Sequence, residues 1–385
     1  MCSASLKPHR LLILSVSAGS GHVRAAEAIC AQAALDMPLL EVRHQDLMQM
    51  VPRVFRKIYT DFYIALASRL PEAWGWLYRK TDHAPDGGWV DASRRLLQNL
   101  CTRQLMQEVD RFAPNAIVCT HFLPAELLAA AKRKGRINCP IWVQVTDFDL
   151  HRMWIHDGIS GYFVANEELA FRLHAYGVPV ERIAVTGIPV MPAFVTHPDR
   201  AASARQFGLD PAAATVLLMG GGAGIGGMEK LAEQLLAFDS KVQLIVMAGK
   251  NLRVLSALQS LAVHYPARLV AIGFTDEVPA LMACADIAIT KPGGLSTSEC
   301  LVMGLPMVLI NPIPGQEERN ADFLLQEGVA VRADDPVTLR YRLQCLLADP
   351  EGLRRMRERA LAIAKPDAAR ALLQQVNQFP TRLPA

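Results

Sequence analysis

The sequence lacks any apolar run near the ~18 residues that a membrane span needs. The best candidates, LLILSV at 11–16 and LVMGLPMVLI at 301–310, are strand-sized and flanked by polar residues or glycine. The N-terminus, MCSASLKPHR, leads only into a six-residue apolar run. That is too short for a secretory signal core, so a cytoplasmic protein is expected. Paired cysteines are also missing. Cys2, Cys30, Cys101, Cys119, Cys139, Cys284, Cys300 and Cys345 include no C-x-x-C and no zinc spacing, which reads as reduced thiols with no structural metal or disulfide. Nor does one charge dominate. Lys+Arg 40 against Asp+Glu 37 gives +3, too balanced for a protein that coats nucleic acid. No short-period repeat is visible, which excludes a solenoid.

What is present is a large apolar complement. Hydrophobic residues make up 51% and charged residues 20%, which excludes bulk disorder. At roughly 100–200 residues per domain, 385 residues suggest two domains or three. Short apolar runs alternate with amphipathic stretches. Strands are expected at 11–16, 116–119, 141–145, 162–165, 183–186, 215–219, 242–247, 269–272, 286–290 and 306–310. These are bare Val/Ile/Leu runs without period-two alternation, the mark of parallel strands buried on both faces. Helices are expected between them, such as 22–35, 228–238 and 296–303. The class is therefore α/β with doubly wound sheets.

The pattern restarts. A strand, Gly-rich turn and helix open the chain at 11–35, and a second such unit opens at 215–238. The intervening 187–213, rich in Pro, Ala and His, reads as a linker plus a first helix of the second half. Two Rossmann-like domains are expected, 1–195 and 196–360, with a C-terminal helix at 361–385 expected to cross back to the N-terminal domain. In such sheets ligands sit in the loops at the carboxyl ends of strands.

Four of those loops stand out. The first is Ser17-Ala18-Gly19-Ser20-Gly21-His22. Its glycines let backbone amides approach an anion or a sugar, at the positive end of a helix. His22 is either a capping residue on a phosphate-binding turn or a general base, since only His titrates near neutrality unperturbed. The second loop runs from Gly220 to Gly227, with Gly221, Gly222 and Gly224 inside it. It contains a literal G-x-G-x-x-G, but the next strand ends Ala248-Gly249-Lys250-Asn251 with no acid for a ribose, which disfavours NAD. Six glycines in eight residues still mark close backbone approach to a diphosphate or a sugar.

The third loop is Thr290 to Glu299, in which Pro292-Gly293-Gly294 makes a turn and Ser296 or Thr297 is expected to cap a helix. Glu299, expected in the first helical turn, is either a capping-box carboxylate or a clamp on two ribose hydroxyls. The fourth is Asn311 to Ala321, where two prolines fix the backbone before Gly315, Gln316, Glu317 and Asn320. Gln316 and Glu317 either begin an ordinary solvated helix or offer acceptors to a hexose.

Taken together, these segments resemble a known family. SAGSGH, a GGG-x-G loop, K-P-G-G-x(4)-E and P-x-P-G-Q-E-x-x-N-A are similar to the diacylglycerol glycosyltransferases. Those are the bacterial processive diacylglycerol glucosyltransferases and the plant monogalactosyldiacylglycerol synthases. They are related to the peptidoglycan GlcNAc transferase that acts on an undecaprenyl lipid. The resemblance runs from about Leu11 to Ala330 and is strongest from 286 to 330.

It implies a GT-B fold, two Rossmann-like doubly wound domains with an interdomain active-site cleft. The C-terminal domain would bind a UDP-sugar. Glu299 would hold the ribose, Gln316 and Glu317 the sugar hydroxyls, Gly222 and its neighbours the diphosphate, and Gly273-Phe274 the uracil. Gly21, Gly293, Gly294, Ser296, Thr297, Gly315 and Asn320 would complete the donor site. The N-terminal domain would take the lipid acceptor, with His22 as base. Thr146-Asp147-Phe148-Asp149-Leu150-His151 fits the family's T-D-F/Y-x-x-H segment, and Asp147 would assist the base or face the acceptor. Asp147 and Asp149 also form a D-x-D, the metal–diphosphate signature of the other glycosyltransferase fold. The diphosphate is already provided for elsewhere, which disfavours that metal reading, and the resemblance implies no cofactor and no divalent-cation dependence.

The stretch 53–89 holds eight of the chain's 25 aromatics, among them Tyr59, Phe62, Tyr63, Trp74 and Trp76, beside Arg56 and Lys57. Aromatic bodies with basic heads suit an anionic bilayer interface, and the alternative is a helical pair packed on its own domain. The expectation is an inverting transferase that moves a hexose from a UDP-sugar to a membrane lipid, 1,2-diacylglycerol above others. It would bind the inner face of the cell membrane peripherally and would not bind nucleic acid. The competing readings are a UDP-sugar 2-epimerase of the same fold, a transferase with a polyprenyl-linked acceptor, and a non-catalytic UDP-sugar sensor.

Overall fold

The computed structural model describes residues 9–17, 19–50, 102–220, 227–238 and 241–378. Gly221, Gly222 and Gly224 lie outside the described residues, as does the whole 53–89 stretch with Arg56, Lys57, Tyr59, Phe62, Tyr63, Trp74 and Trp76. The chain divides into two units. One comprises Met1–Met191, Ile313–Gly315 and Asp367–Ala385, the other Pro192–Pro312 and Gln316–Pro366.

The first unit holds six parallel strands: β1 (Arg10–Ser15), β2 (Glu41–Asp46), β3 (Ala116–Cys119), β4 (Ile141–Gln144), β5 (Gly161–Val164) and β6 (Ile183–Val185). Their order is β2-β1-β3-β4-β5-β6. Leu11 to Leu14 are all buried to within 1%, so β1 is covered on both faces, as a strand flanked by helices must be. One face carries Leu11, Ile13, Val118 and Phe163 with Ala26 and Ile29 of α1 (Ser20–Asp36). Leu372, Leu373 and Val376 of the last described helix, Ala368–Gln378, join the same cluster. The Asp36–Arg370 ion pair of 2.8 Å borders that contact.

The second unit repeats the plan with β7 (Thr215–Met219), β8 (Gln243–Gly249), β9 (Leu269–Gly273), β10 (Ile287–Thr290), β11 (Met307–Leu309) and β12 (Ala330–Arg332). Their order is β12-β11-β10-β7-β8-β9, again parallel throughout. Val216, Leu218, Leu244, Val246, Ile287, Ile289 and Val308 form its core. Two parallel six-stranded sheets covered by helices confirm the α/β doubly wound class.

Every expected strand is present, with ends shifted by up to two residues. Two were not expected. β2 reads EVRHQD and, among the described residues, pairs with β1 at the end of the sheet, half-buried along its length with Asp46 buried. β12 is three residues long at the opposite end of the other sheet. Edge strands need not be apolar runs, so the criterion for buried strands passes over them. The segment 187–213 holds a single helical turn, Pro192–Val195, and a helix, Arg200–Gln206, without a strand.

One helix start needs correction. The helix expected from residue 296 begins at Gly294 and runs to Val302. Its N-cap is Gly293, in extended conformation and without a side-chain cap. Ser296 and Thr297 are therefore inside the helix, and Glu299 is its sixth residue rather than a first-turn carboxylate. The turn Pro292-Gly293 already delivers the chain in helical direction, which makes a hydroxyl cap unnecessary.

Candidate active site

In the first sheet the connections leave β1 in opposite directions. The chain goes to β2 on one side, then returns to β3 on the other. Loops at the carboxyl ends of such a strand pair diverge and open a crevice. His22 lies there, in the first turn of α1, half-buried. Its Nδ1 is 3.0 Å from the carbonyl of Thr120, the residue after β3, and 2.7 Å from Oγ1 of Thr146, two residues after β4. A carbonyl only accepts, so this contact assigns the proton to Nδ1. Nε2 is then left as the basic nitrogen. The Thr120 hydroxyl donates back to the carbonyl of His22 over 2.8 Å.

Although the residue keeps some open surface, its ring is desolvated. Burial pushes its pKa from 6.5 down to about 4, against the opposing effect of the Thr120 carbonyl. A ring with that pKa is unprotonated at neutral pH, the form a general base requires. The imidazole of His121 meets it edge to face, with centroids 4.6 Å apart and planes at 80°. Trp154 lies 6.3 Å from each of the two rings, and Phe122 lies 4.0 Å from His121.

Gly19 of this loop is not demanded by the fold. A Cβ on Gly19 would meet nothing within 4 Å, and its φ of 176° is extended. Gly21 is half-buried in the first turn of α1. Asp147 and Asp149 are both 9% exposed. Asp149 pairs with Arg172, which also donates to the Leu150 carbonyl over 3.2 Å. Among the described residues, no cluster of three or more His, Cys, Asp or Glu is arranged to hold a metal ion.

The second sheet has its own switch point. From β7 the chain runs outward through β8 and β9, then returns to β10 on the other side of β7. The Gly-rich loop follows β7, and the Lys291-Pro292-Gly293 turn follows β10. The helix Gly294–Val302 follows β10 and the helix Gln316–Gln326 follows β11, so two N-termini lie side by side at the carboxyl ends of two neighbouring strands. Such ends carry unpaired amides and partial positive charge, which suit a diphosphate.

Asn320 joins the two loops, donating from Nδ2 to the Pro292 carbonyl over 3.0 Å. Glu317 lies over the same turn, its Oε1 3.9 Å from where a Cβ on Gly293 would stand. Ser296 and Glu299, one helical turn apart, are both part-exposed, as are Gln316 and Glu317. Gly294 and Gly315 are buried, the latter at φ 96°. Thr297 and Asn320 show no exposed surface, and the Thr297 hydroxyl has no hydrogen-bond partner. Their place is beneath the loops. Phe274, 60% exposed, carries Lys250 Nζ 4.7 Å over its ring. It follows Gly273 at the end of the edge strand β9, three places along the sheet from β10.

Sequence reasoning missed Thr120, His121 and the role of Thr146. The first two follow a buried apolar strand, AIVC, beside the switch point, and that position was their one available signal.

The same architecture occurs in solved proteins. It matches MurG of Acinetobacter baumannii with a TM-score of 0.62 at 16% identity, over 97% of this chain and 100% of that one. It matches UDP-bound MnaA of S. aureus with a TM-score of 0.66 at 13% identity, over 98% and 99%. The likeness identifies the fold as GT-B. Residues 22–190 match the monogalactosyldiacylglycerol (MGDG) synthase family, and residues 215–378 match the glycosyltransferase family 28 C-terminal domain. The processive diacylglycerol beta-glucosyltransferase of Bacillus pumilus is 26% identical over 371 residues, 95% of this chain and 94% of that protein. Its counterpart in Staphylococcus saprophyticus is 26% identical over 352 residues, 91% and 87% of the two chains. The two halves of the chain are thus similar to the monogalactosyldiacylglycerol synthase family and to the glycosyltransferase family 28 C-terminal domain, and its whole length is similar to the diacylglycerol glucosyltransferases.

Proposed function

We propose that this protein transfers a hexose from a UDP-sugar to 1,2-diacylglycerol, with inversion at the anomeric carbon. The observation that carries the chemistry is His22, whose Nδ1 is pinned by the Thr120 carbonyl and Thr146 hydroxyl so that Nε2 is the basic nitrogen. Nε2 takes the proton of the acceptor hydroxyl as that oxygen bonds to the anomeric carbon. The bond from that carbon to UDP breaks, and UDP leaves with the electron pair. The Nδ1 proton stays on its two oxygens, which stabilise the imidazolium as it forms.

In the second unit the helix N-termini after β10 and β11 meet the diphosphate, with the glycine amides around Gly222 and at Gly293. That arrangement supplies the charge a divalent cation would otherwise supply, and the reading includes no cation requirement. Glu299 holds the ribose, Gln316 and Glu317 the sugar, and Phe274 the uracil. No helix among the described residues is long and apolar enough to cross a membrane. Access to a bilayer acceptor is assigned to the aromatic and basic stretch 53–89, which would dock reversibly on an anionic inner membrane face.

The test offers purified protein a panel of UDP-sugars with anionic vesicles containing diacylglycerol, and reads products by mass spectrometry. A hexosyl-diacylglycerol is expected. Conversion of UDP-GlcNAc without an acceptor would replace this reading with 2-epimerisation. Glycosylation of a polyprenyl carrier alone would change the acceptor.

A further inference from the structure

We propose that His121 is a positioning residue for the base, a second imidazole that holds the ring of His22 in one orientation. The proposal rests on the reading of His22 as the base. His121 is 3% exposed and follows directly on Thr120, whose carbonyl holds Nδ1 of His22. The turn after β3 therefore grips the His22 imidazole twice. The Thr120 backbone takes the ring's edge, and the His121 ring meets it edge to face at 4.6 Å.

His121 is itself fixed. It is the N-cap of the helix Phe122–Arg133, and its Nδ1 accepts the amide of Leu123 over 3.0 Å. That bond places its proton on Nε2. A ring locked at one nitrogen and packed by Phe122 at 4.0 Å cannot swing aside. Rotation of the His22 ring by half a turn would exchange Nδ1 for Cδ2 and lose both oxygen partners, and the His121 ring packed against it at 4.6 Å opposes that rotation. Its neutrality follows from burial, with the proximity of His22 acting in the same direction.

Two substitutions separate the cap from the ring. His121→Asn keeps an acceptor for the Leu123 amide, because Asn is a favoured N-cap residue, but removes the ring. His121→Phe keeps the ring and removes the acceptor. Side-chain nitrogen NMR of His22 reads its tautomer without any acceptor lipid. In the parent protein and in His121→Phe, Nδ1–H is expected as the single form. In His121→Asn a mixture is expected, with kcat lowered about tenfold, KM for the UDP-sugar unchanged and Tm retained. In His121→Phe, Tm is expected to fall while kcat stays nearer the parent value. A single His22 tautomer in His121→Asn, or an activity loss that follows Tm across both variants, would overturn the proposal. If the parent protein glycosylates no lipid, the catalytic reading fails, and the tautomer measurement still decides the role of His121.

Discussion

His22 and Thr120 hold each other by two hydrogen bonds across 98 residues of sequence, ring nitrogen to carbonyl and hydroxyl to carbonyl. The first turn of α1 is thereby tied to the end of β3 at the point where the first sheet changes direction. A side chain held this way is oriented before any substrate arrives, so the cost of ordering it is met during folding.

Removing the ring should stop the chemistry and spare the donor site. His22→Ala is expected to cut kcat by about 100-fold or more, the scale of general-base loss, with UDP-sugar binding retained. Near-parent turnover would remove His22 from the role. The pH profile is a second check. Burial lowers the pKa of His22 from 6.5 to about 4, so the base form persists on acidification. The rate on kcat/KM should stay level below pH 6.5 and fall only as about 4 is approached. An acid limb at 6.5 would contradict it. Folding follows the same sign. Between those two values the unfolded chain binds the proton first, so the contribution of His22 to stability is lost as pH falls through that window.

Thr146 offers a milder test. Its Oγ1 is 2.7 Å from Nδ1, while the Thr120 carbonyl remains as a second partner. Thr146→Val keeps the branched shape and removes the oxygen. A loss of about tenfold in kcat is expected, without a change in KM for the UDP-sugar, the size of one hydrogen bond to a charged transition state. Steady-state kinetics would show it, and an unchanged kcat would reduce Thr146 to packing.

The legible parts of the molecule were those with local causes. β1, β3, β7 and β10 are apolar because both faces are covered, and such runs identify themselves. Gly293 and Gln316 announced their loops because turns and helix starts constrain nearby residues. β2 and β12 were illegible because edge strands carry no such pattern. The start at Gly294 was misread because the Ser296-Thr297 pair offered a stronger local cap signal than a glycine. The partnership of His22, Thr120 and Thr146 spans three strands. It depends on the order β1-β3-β4 in the sheet, which no short segment encodes.

Gly293 separates a structural glycine from a ligand-facing one. Its φ is −73°, so any residue could adopt the backbone. The nearest atom to an added Cβ is Glu317 Oε1 at 3.9 Å, an ordinary contact. Gly293→Ala should therefore fold with parent Tm. If its amide approaches the donor diphosphate, the added methyl should raise KM for the UDP-sugar by about tenfold, or more. Unchanged donor KM would place the diphosphate elsewhere.

Gly161 makes the opposite case. It opens β5, opposite Trp142 on β4. A Cβ there would lie 2.3 Å from Trp142 Cζ3, 2.7 Å from Cε3 and 3.2 Å from the Arg182 carbonyl. The indole has nowhere to go, being 5% exposed and stacked on Phe163 at 5.2 Å. Gly161→Ala should cost about 1–3 kcal/mol through overpacking, seen as a lower Tm. The strain is in the sheet core and leaves the residues that hold the His22 ring in place, so kcat per folded molecule should match the parent at moderate temperature. A stable Gly161→Ala variant would mean the indole has a second place to pack. A lowered kcat in the folded fraction would mean that β4 transmits its displacement to Thr146, two residues beyond its end.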